Sequence, residues 1–149
     1  MFPGRWSTTR WQRAVSSPKP DLHDLAARFA RKAESDEIVL DKLGDDPDAP
    51  DDLIGFHAQQ ALEKLLKAAL AQAGVAPPRI HDLGKLLALL TDAGLSAPVS
   101  VDQARAMVPW AVEFRYDDVL EERLDRAAAC EAVEKVRAWV DELLAGPKS

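Results

Sequence analysis

The feature that most limits what this chain can fold into is the stretch from Gly55 to Leu70, which carries no proline and repeats its apolar residues at helical spacing. At about 100° per residue, Ile54, Ala58, Ala61, Leu62, Leu65 and Ala69 share one arc. A helix with so wide an apolar arc is unstable alone and has to be covered by other elements. Leu and Ala dominate the apolar residues throughout, while β-branched residues are sparse, so the covering elements are expected to be helices too. A chain of 149 residues suits a single domain organised around one core.

Helix breakers divide the sequence. Pro20-Asp21 opens a first helix over about 21–43, in which Leu22, Leu25, Ala26, Phe29, Ala33, Ile38 and Leu40 recur at helical spacing. Gly44 to Pro50 is an acidic, solvated loop. The second helix spans about 52–73 and stops at Gly74, with Pro77-Pro78 confirming the break. The third starts near His81-Asp82, carries Leu83, Leu86, Leu87 and Leu90, and ends at Gly94. Ser100 is an N-cap for a fourth through Val101, Ala104, Met107 and Val108, which Pro109 should kink or shorten. After an aromatic, charged segment from Trp110 to Asp118, the last helix covers about 121–145 with Leu124, Ala127, Ala128, Val133, Val136, Val140 and Leu144. The expectation is an all-α, up-and-down bundle of about five helices over 21–146.

Residues 1–20 read as a flexible basic segment outside the fold: Arg5, Arg10, Arg13 and Lys19 occur with no acidic residue, and Trp6 and Trp11 lie between them. An RNA-touching arm and a transit-like leader are the alternatives. No window approaches the roughly 18 apolar residues of a membrane-spanning helix, and the expected location is the cytoplasm. The lone Cys130 excludes an internal disulfide and reads as a small buried core residue. A net charge of −6 argues against a chain-wide nucleic-acid footprint but leaves room for a local patch. His23, His57 and His81 lack the paired spacing of a zinc helix and the carboxylates read as residues of exposed loops, so no metal and no cofactor is expected. Gly-rich phosphate loops and Ser or Cys nucleophile patterns are also missing.

Three groups remain as candidates for binding. His57, Gln60, Lys64 and Lys67 fall together outside the apolar arc of the second helix, where an imidazole, an amide and an ammonium can hold a phosphate or a nucleotide edge. The plainer reading of His57 is a half-buried, hydrogen-bonded histidine. Arg79, His81 and Asp82 gather where the third helix starts, an end that suits an anion, although Asp82 can equally be a first-turn stabiliser. Arg115 beside Tyr116 can stack on a base or bind a phosphate, or simply pair with Asp117 and Asp118.

Phe56-His57-Ala58-Gln59-Gln60-Ala61-Leu62-Glu63-Lys64, then Lys67, then His81-Asp82-Leu83, together resemble the central pattern of HEPN domains. Lys32 to Asp36 resembles their opening helix, and Trp110 to Tyr116 the aromatic segment before their last one. The resemblance implies a helical bundle, often a homodimer, found in prokaryotes beside a small nucleotidyltransferase in toxin–antitoxin pairs, with a nucleotide or RNA as ligand. It also implies, in the nuclease members, a metal-independent endoribonuclease whose catalytic pair is an Arg followed after four to six residues by His. Arg115 is followed by Tyr116-Asp117-Asp118-Val119-Leu120-Glu121-Glu122, with no histidine, so the proton-transfer group of that pair is missing. The expected function is a nucleotide- or RNA-binding module and nucleotidyltransferase partner. An endoribonuclease with displaced catalytic residues and a purely structural interaction bundle are the alternatives.

Overall fold

The computed structural model describes residues 21–107 and 124–146, which form five helices and no strand. They are α1 (Leu22–Leu43), α2 (Asp51–Gln72), α3 (Leu83–Asp92), α4 (Val101–Arg105) and α5 (Arg126–Ala145). The all-α bundle expected from the sequence is the one observed. Residues 1–20, Pro109, the segment from Trp110 to Asp118, and with it Arg115 and Tyr116, lie outside the described residues.

Local chemistry sets the helix ends. Asp21 caps α1 by accepting from the backbone N–H of His23 at 2.8 Å. α2 ends at Gly74, whose φ of +87° is open to glycine at little cost, and the N–H of Val75 then closes back on the Leu70 carbonyl. Gly94 ends α3 in the same way, with Leu95 bonding to Leu90. Ser100 and Gln103 form a reciprocal capping box on α4. The last helix starts later than the apolar spacing suggested. Asp125 accepts from the N–H of Ala128 and is its N-cap, so Leu124 stands before the helix rather than in it.

α2 is the central helix and packs against α1, α3 and α5. Its apolar arc is covered as expected: Ile54, Ala58, Ala61, Leu62, Leu65 and Ala69 are all buried, joined by Leu66, Ala68 and Leu70. Fully burying one such leucine is worth about 1.5–3 kcal/mol. Contacts between side chains give the helix directions. His23 meets Gln72 and His57 meets Asp36, so α1 and α2 are antiparallel. Gln72 reaches Leu143 and Arg126 reaches Asp51, so α2 and α5 run parallel. Four described residues of the apolar patterns are exposed: Ile38 on α1 at 55%, Val101 on α4 at 43%, and Ala127 and Ala128 in the first turn of α5, where Ala129, Ala132 and Val133 face the core instead.

Two arginines of α5 tie the bundle together. Arg126 donates to the Asp51 carboxylate at 2.7 Å and to the backbone carbonyls of Asp46 and Ala49, fixing the acidic loop between α1 and α2. Arg137 donates to both carboxylate oxygens of Glu37, to the Ala30 carbonyl and to Asp141.

Candidate functional site

Along one side of α2, two imidazoles are each tied to a buried carboxylate. Asp36 of α1 is 5% exposed and accepts from His57 Nδ1 at 2.8 Å and from Lys64 Nζ at 2.6 Å. Glu63 of α2, also 5% exposed, accepts from His81 Nδ1 at 2.6 Å and stands 3.9 Å from Lys67 Nζ. An ionised carboxylate only accepts, so Nδ1 carries the proton in both pairs. Nε2 is then the nitrogen left for other partners. It accepts when the ring is neutral and donates when it is protonated.

Two amides extend the ridge toward His81. Gln60 donates to the Gln59 side-chain oxygen at 2.8 Å, and Gln59 donates to the His81 carbonyl at 3.3 Å. On the helix wheel Gln60 falls between His57 and Glu63, so both pairs and the amide form one polar ridge. Phe56 packs edge-on against the His57 ring, with centroids 5.1 Å apart at an interplanar angle of 79°. This contact and the Asp36 bond both restrain the His57 ring. The His57 side chain keeps 23% of its accessibility and His81, on the connection before α3, keeps 67%.

The sequence candidates separate accordingly. His57, Gln60 and Lys64 are brought together on α2, and His81 joins them through Glu63 and Gln59. Asp82 is the N-cap of α3 and accepts from the Lys85 N–H at 3.2 Å. Arg79 is exposed and makes no ion pair among the described residues. Lys67, placed by its wheel angle with the outward cations, is only 7% exposed and faces Glu63. The expectation that carboxylates belong to exposed loops is overturned by Asp36 and Glu63, which are buried within helices because each holds cationic or imidazole partners.

Asp36, Gln59 and Glu63 were missed by reasoning from sequence. Asp36 carried a usable signal, since it stands in register with Ala26, Ala30, Ala33 and Leu40, the buried positions of α1. A charge on an apolar stripe needs a partner from another element. Gln59, Glu63 and Lys67 form a second buried stripe at i, i+4, i+8 on α2, opposite no obvious cue.

No cluster of three potential metal ligands occurs among the described residues. No helix among them is long and apolar enough to cross a membrane. Two grooves open elsewhere, one between α1 and α5 and one beside Trp139, and neither includes a residue of the ridge.

The family model described as HEPN domain matches residues 47–143, which takes in α2, α3, α4 and nearly all of α5. No match was found among curated proteins, and none among solved structures.

Proposed function

This chain belongs to the HEPN domain family, and from that premise we propose that it is a nucleotide- or RNA-binding module that engages phosphate through the ridge of α2. One observation carries the reading: His57 and His81 are each held through Nδ1 on a buried carboxylate, which leaves Nε2 for a ligand, while the ammonium of Lys64 shares Asp36 with His57 and Gln60 lies on the same ridge. Groups fixed in this way lose little freedom when a ligand binds, so more of their interaction energy appears as affinity. The local charge is compatible with an anion despite the net charge of −6, because each carboxylate of the ridge already has a cationic neighbour.

Fluorescence anisotropy with labelled single-stranded RNA and with a labelled nucleotide tests it. The His57→Ala and His81→Ala proteins are expected to bind about tenfold more weakly, which corresponds to about 1.4 kcal/mol each. Unchanged affinity in both, in proteins that melt like the wild type, would remove the ridge from binding.

A small nucleotidyltransferase in a toxin–antitoxin-like pair is the proposed protein partner, and homodimerisation the proposed assembly, both by family resemblance. Co-purification with the product of a neighbouring nucleotidyltransferase gene, and sedimentation of the isolated chain, are the matching measurements.

The ridge also favours a second reading, a metal-independent endoribonuclease with displaced catalytic residues, because two imidazoles held through Nδ1 leave Nε2 for proton transfer to a ligand. It requires RNA cleavage in the presence of a chelator that disappears in His57→Ala or His81→Ala protein. Cleavage that survives both substitutions eliminates it.

A further inference from the structure

The groove between α1 and α5 has no part in the ridge, and its chemistry is of the opposite sign. It encloses about 550 Å³. Glu34, Glu37 and Asp41 of α1 face Glu134 and Asp141 of α5 across it, and Arg137 is the one cation in its lining. That guanidinium is already engaged by Glu37 and Asp141. Glu34, Asp41 and Glu134 make no ion pair among the described residues. Ile38, the most exposed large apolar side chain of the described residues at 55%, lies on the groove with Leu40 and Val133 beside it. Carboxylates around an exposed apolar strip fit a partner segment that is cationic and carries large apolar side chains.

Residues 1–20 of this chain have that chemistry. They hold Arg5, Arg10, Arg13 and Lys19, no Asp or Glu, and Trp6 and Trp11 among the cations. They also have the reach. Glu34 lies about 20 Å along α1 from Asp21 at 1.5 Å per residue. Extended chain covers about 3.3 Å per residue, so residues from about Arg13 back to Arg5 can lie over Glu34, Ile38 and Asp41. Attachment to the same chain raises the effective concentration of such a segment to about the millimolar range, so even a weak intrinsic affinity fills the groove.

We propose that residues 1–20 dock in the acidic groove between α1 and α5 of the same molecule, with arginines on Glu34, Asp41 and Glu134 and tryptophan on Ile38. Docking would keep a basic, aromatic segment away from other partners until something of greater negative charge competes for it.

Cys130 provides a probe, because it lines the groove and is the only cysteine of the chain. Its rate of alkylation by iodoacetamide in the full-length protein reports whether the groove is covered. In Arg5→Glu/Arg10→Glu/Arg13→Glu protein the rate is expected to rise about threefold to tenfold, as release of a tethered segment predicts. A second variant, Trp6→Ala/Trp11→Ala, leaves the charge unchanged and is expected to raise the rate in the same direction, which separates uncovering from a field effect on the thiol. Equal rates in wild type and both variants overturn the proposal. Wild-type protection is expected to be independent of protein concentration. Protection that grows with concentration overturns it as well, because the groove would then be filled by a second copy.

Discussion

Asp36 and Glu37 are neighbours on α1, about 100° apart around its axis, and they serve different sides of the molecule. Asp36 turns to α2 and holds an imidazole and an ammonium, His57 and Lys64. Glu37 turns to α5 and holds a guanidinium, Arg137. The side-chain exposures also differ, at 7% for Asp36 and 21% for Glu37. The more buried carboxylate therefore carries the partners that have chemistry to offer a ligand, and the more accessible one carries a partner whose charge is fixed. One turn of helix thus supplies both a seam that sets how α1 and α5 meet and a mount that positions a candidate binding group.

The largest effect is expected at the seam. Arg137→Ala leaves Glu37 and the Ala30 carbonyl without their donor, and it should destabilise by about 2–4 kcal/mol, the range for removing one partner of a largely buried pair. Arg137→Lys should recover less than half of this, because an ammonium cannot reproduce the planar fork on both oxygens of Glu37. The hydrogen bond that the guanidinium donates to Glu37 raises its pKa above its ordinary value, ahead of the opposing effect of burial. A raised pKa means that the stabilisation is fully present below the unfolded value and is lost only as pH climbs through the folded one. Both lie far into alkali, so urea unfolding at pH 6 and at pH 9 should give the same loss for Arg137→Ala. A loss that differs between the two would break the picture of a permanently charged seam.

Asp36→Asn should cost less, about 1–2 kcal/mol, since His57 and Lys64 both retain access to solvent. It should also weaken RNA or nucleotide binding by about tenfold, or about 1.4 kcal/mol, by releasing the His57 ring. If the variant is as destabilised as Arg137→Ala and binds normally, Asp36 is a second seam residue and the contrast with Glu37 collapses. His81→Ala is milder still for the fold. The ring itself is 67% exposed, but its removal leaves the buried Glu63 carboxylate with Lys67 3.9 Å away, so it should cost about 1 kcal/mol, while reducing affinity as His57→Ala does.

The same contrast explains what sequence could reveal. Helix ends are local, so Asp21, Gly74, Gly94 and Ser100 announced them. Period is local as well, and it placed the apolar arc of α2 and three of the ridge residues, His57, Gln60 and Lys64. Burial of a charge is a property of two elements at once. Asp36 and Glu63 look solvated along the chain and are buried because His57 and Lys64 of α2 reach Asp36 on α1, and His81 from the connection before α3 joins Lys67 at Glu63. Lys67 shows the converse error, since its wheel angle puts it with outward cations while α2, central in the bundle, is covered on nearly every side. Ile38 was assigned to the core by period and faces a groove instead, because α1 is packed mainly against α2.

The smallest expected effect lies on the Glu37 side of α1, at Cys130. It was expected in the core and instead packs at the core margin, partly accessible, where it lines the groove. Burial, followed by the charges of Glu134 and Asp45, raises the thiol pKa, with Arg126 opposing. The folded chain therefore holds the proton to higher pH than the unfolded chain does. The resulting contribution to stability is fully present below the unfolded thiol value of about 8.5 and fades as pH rises through the folded one. Serine does not titrate there, so the melting temperature of wild type relative to Cys130→Ser should be level up to about pH 8 and then fall by about 1 °C toward pH 10. A wild type that gains on the serine variant over that window would mean that the thiolate is favoured in the fold, and that the groove beside Glu37 is less negative to Cys130 than its five carboxylates imply.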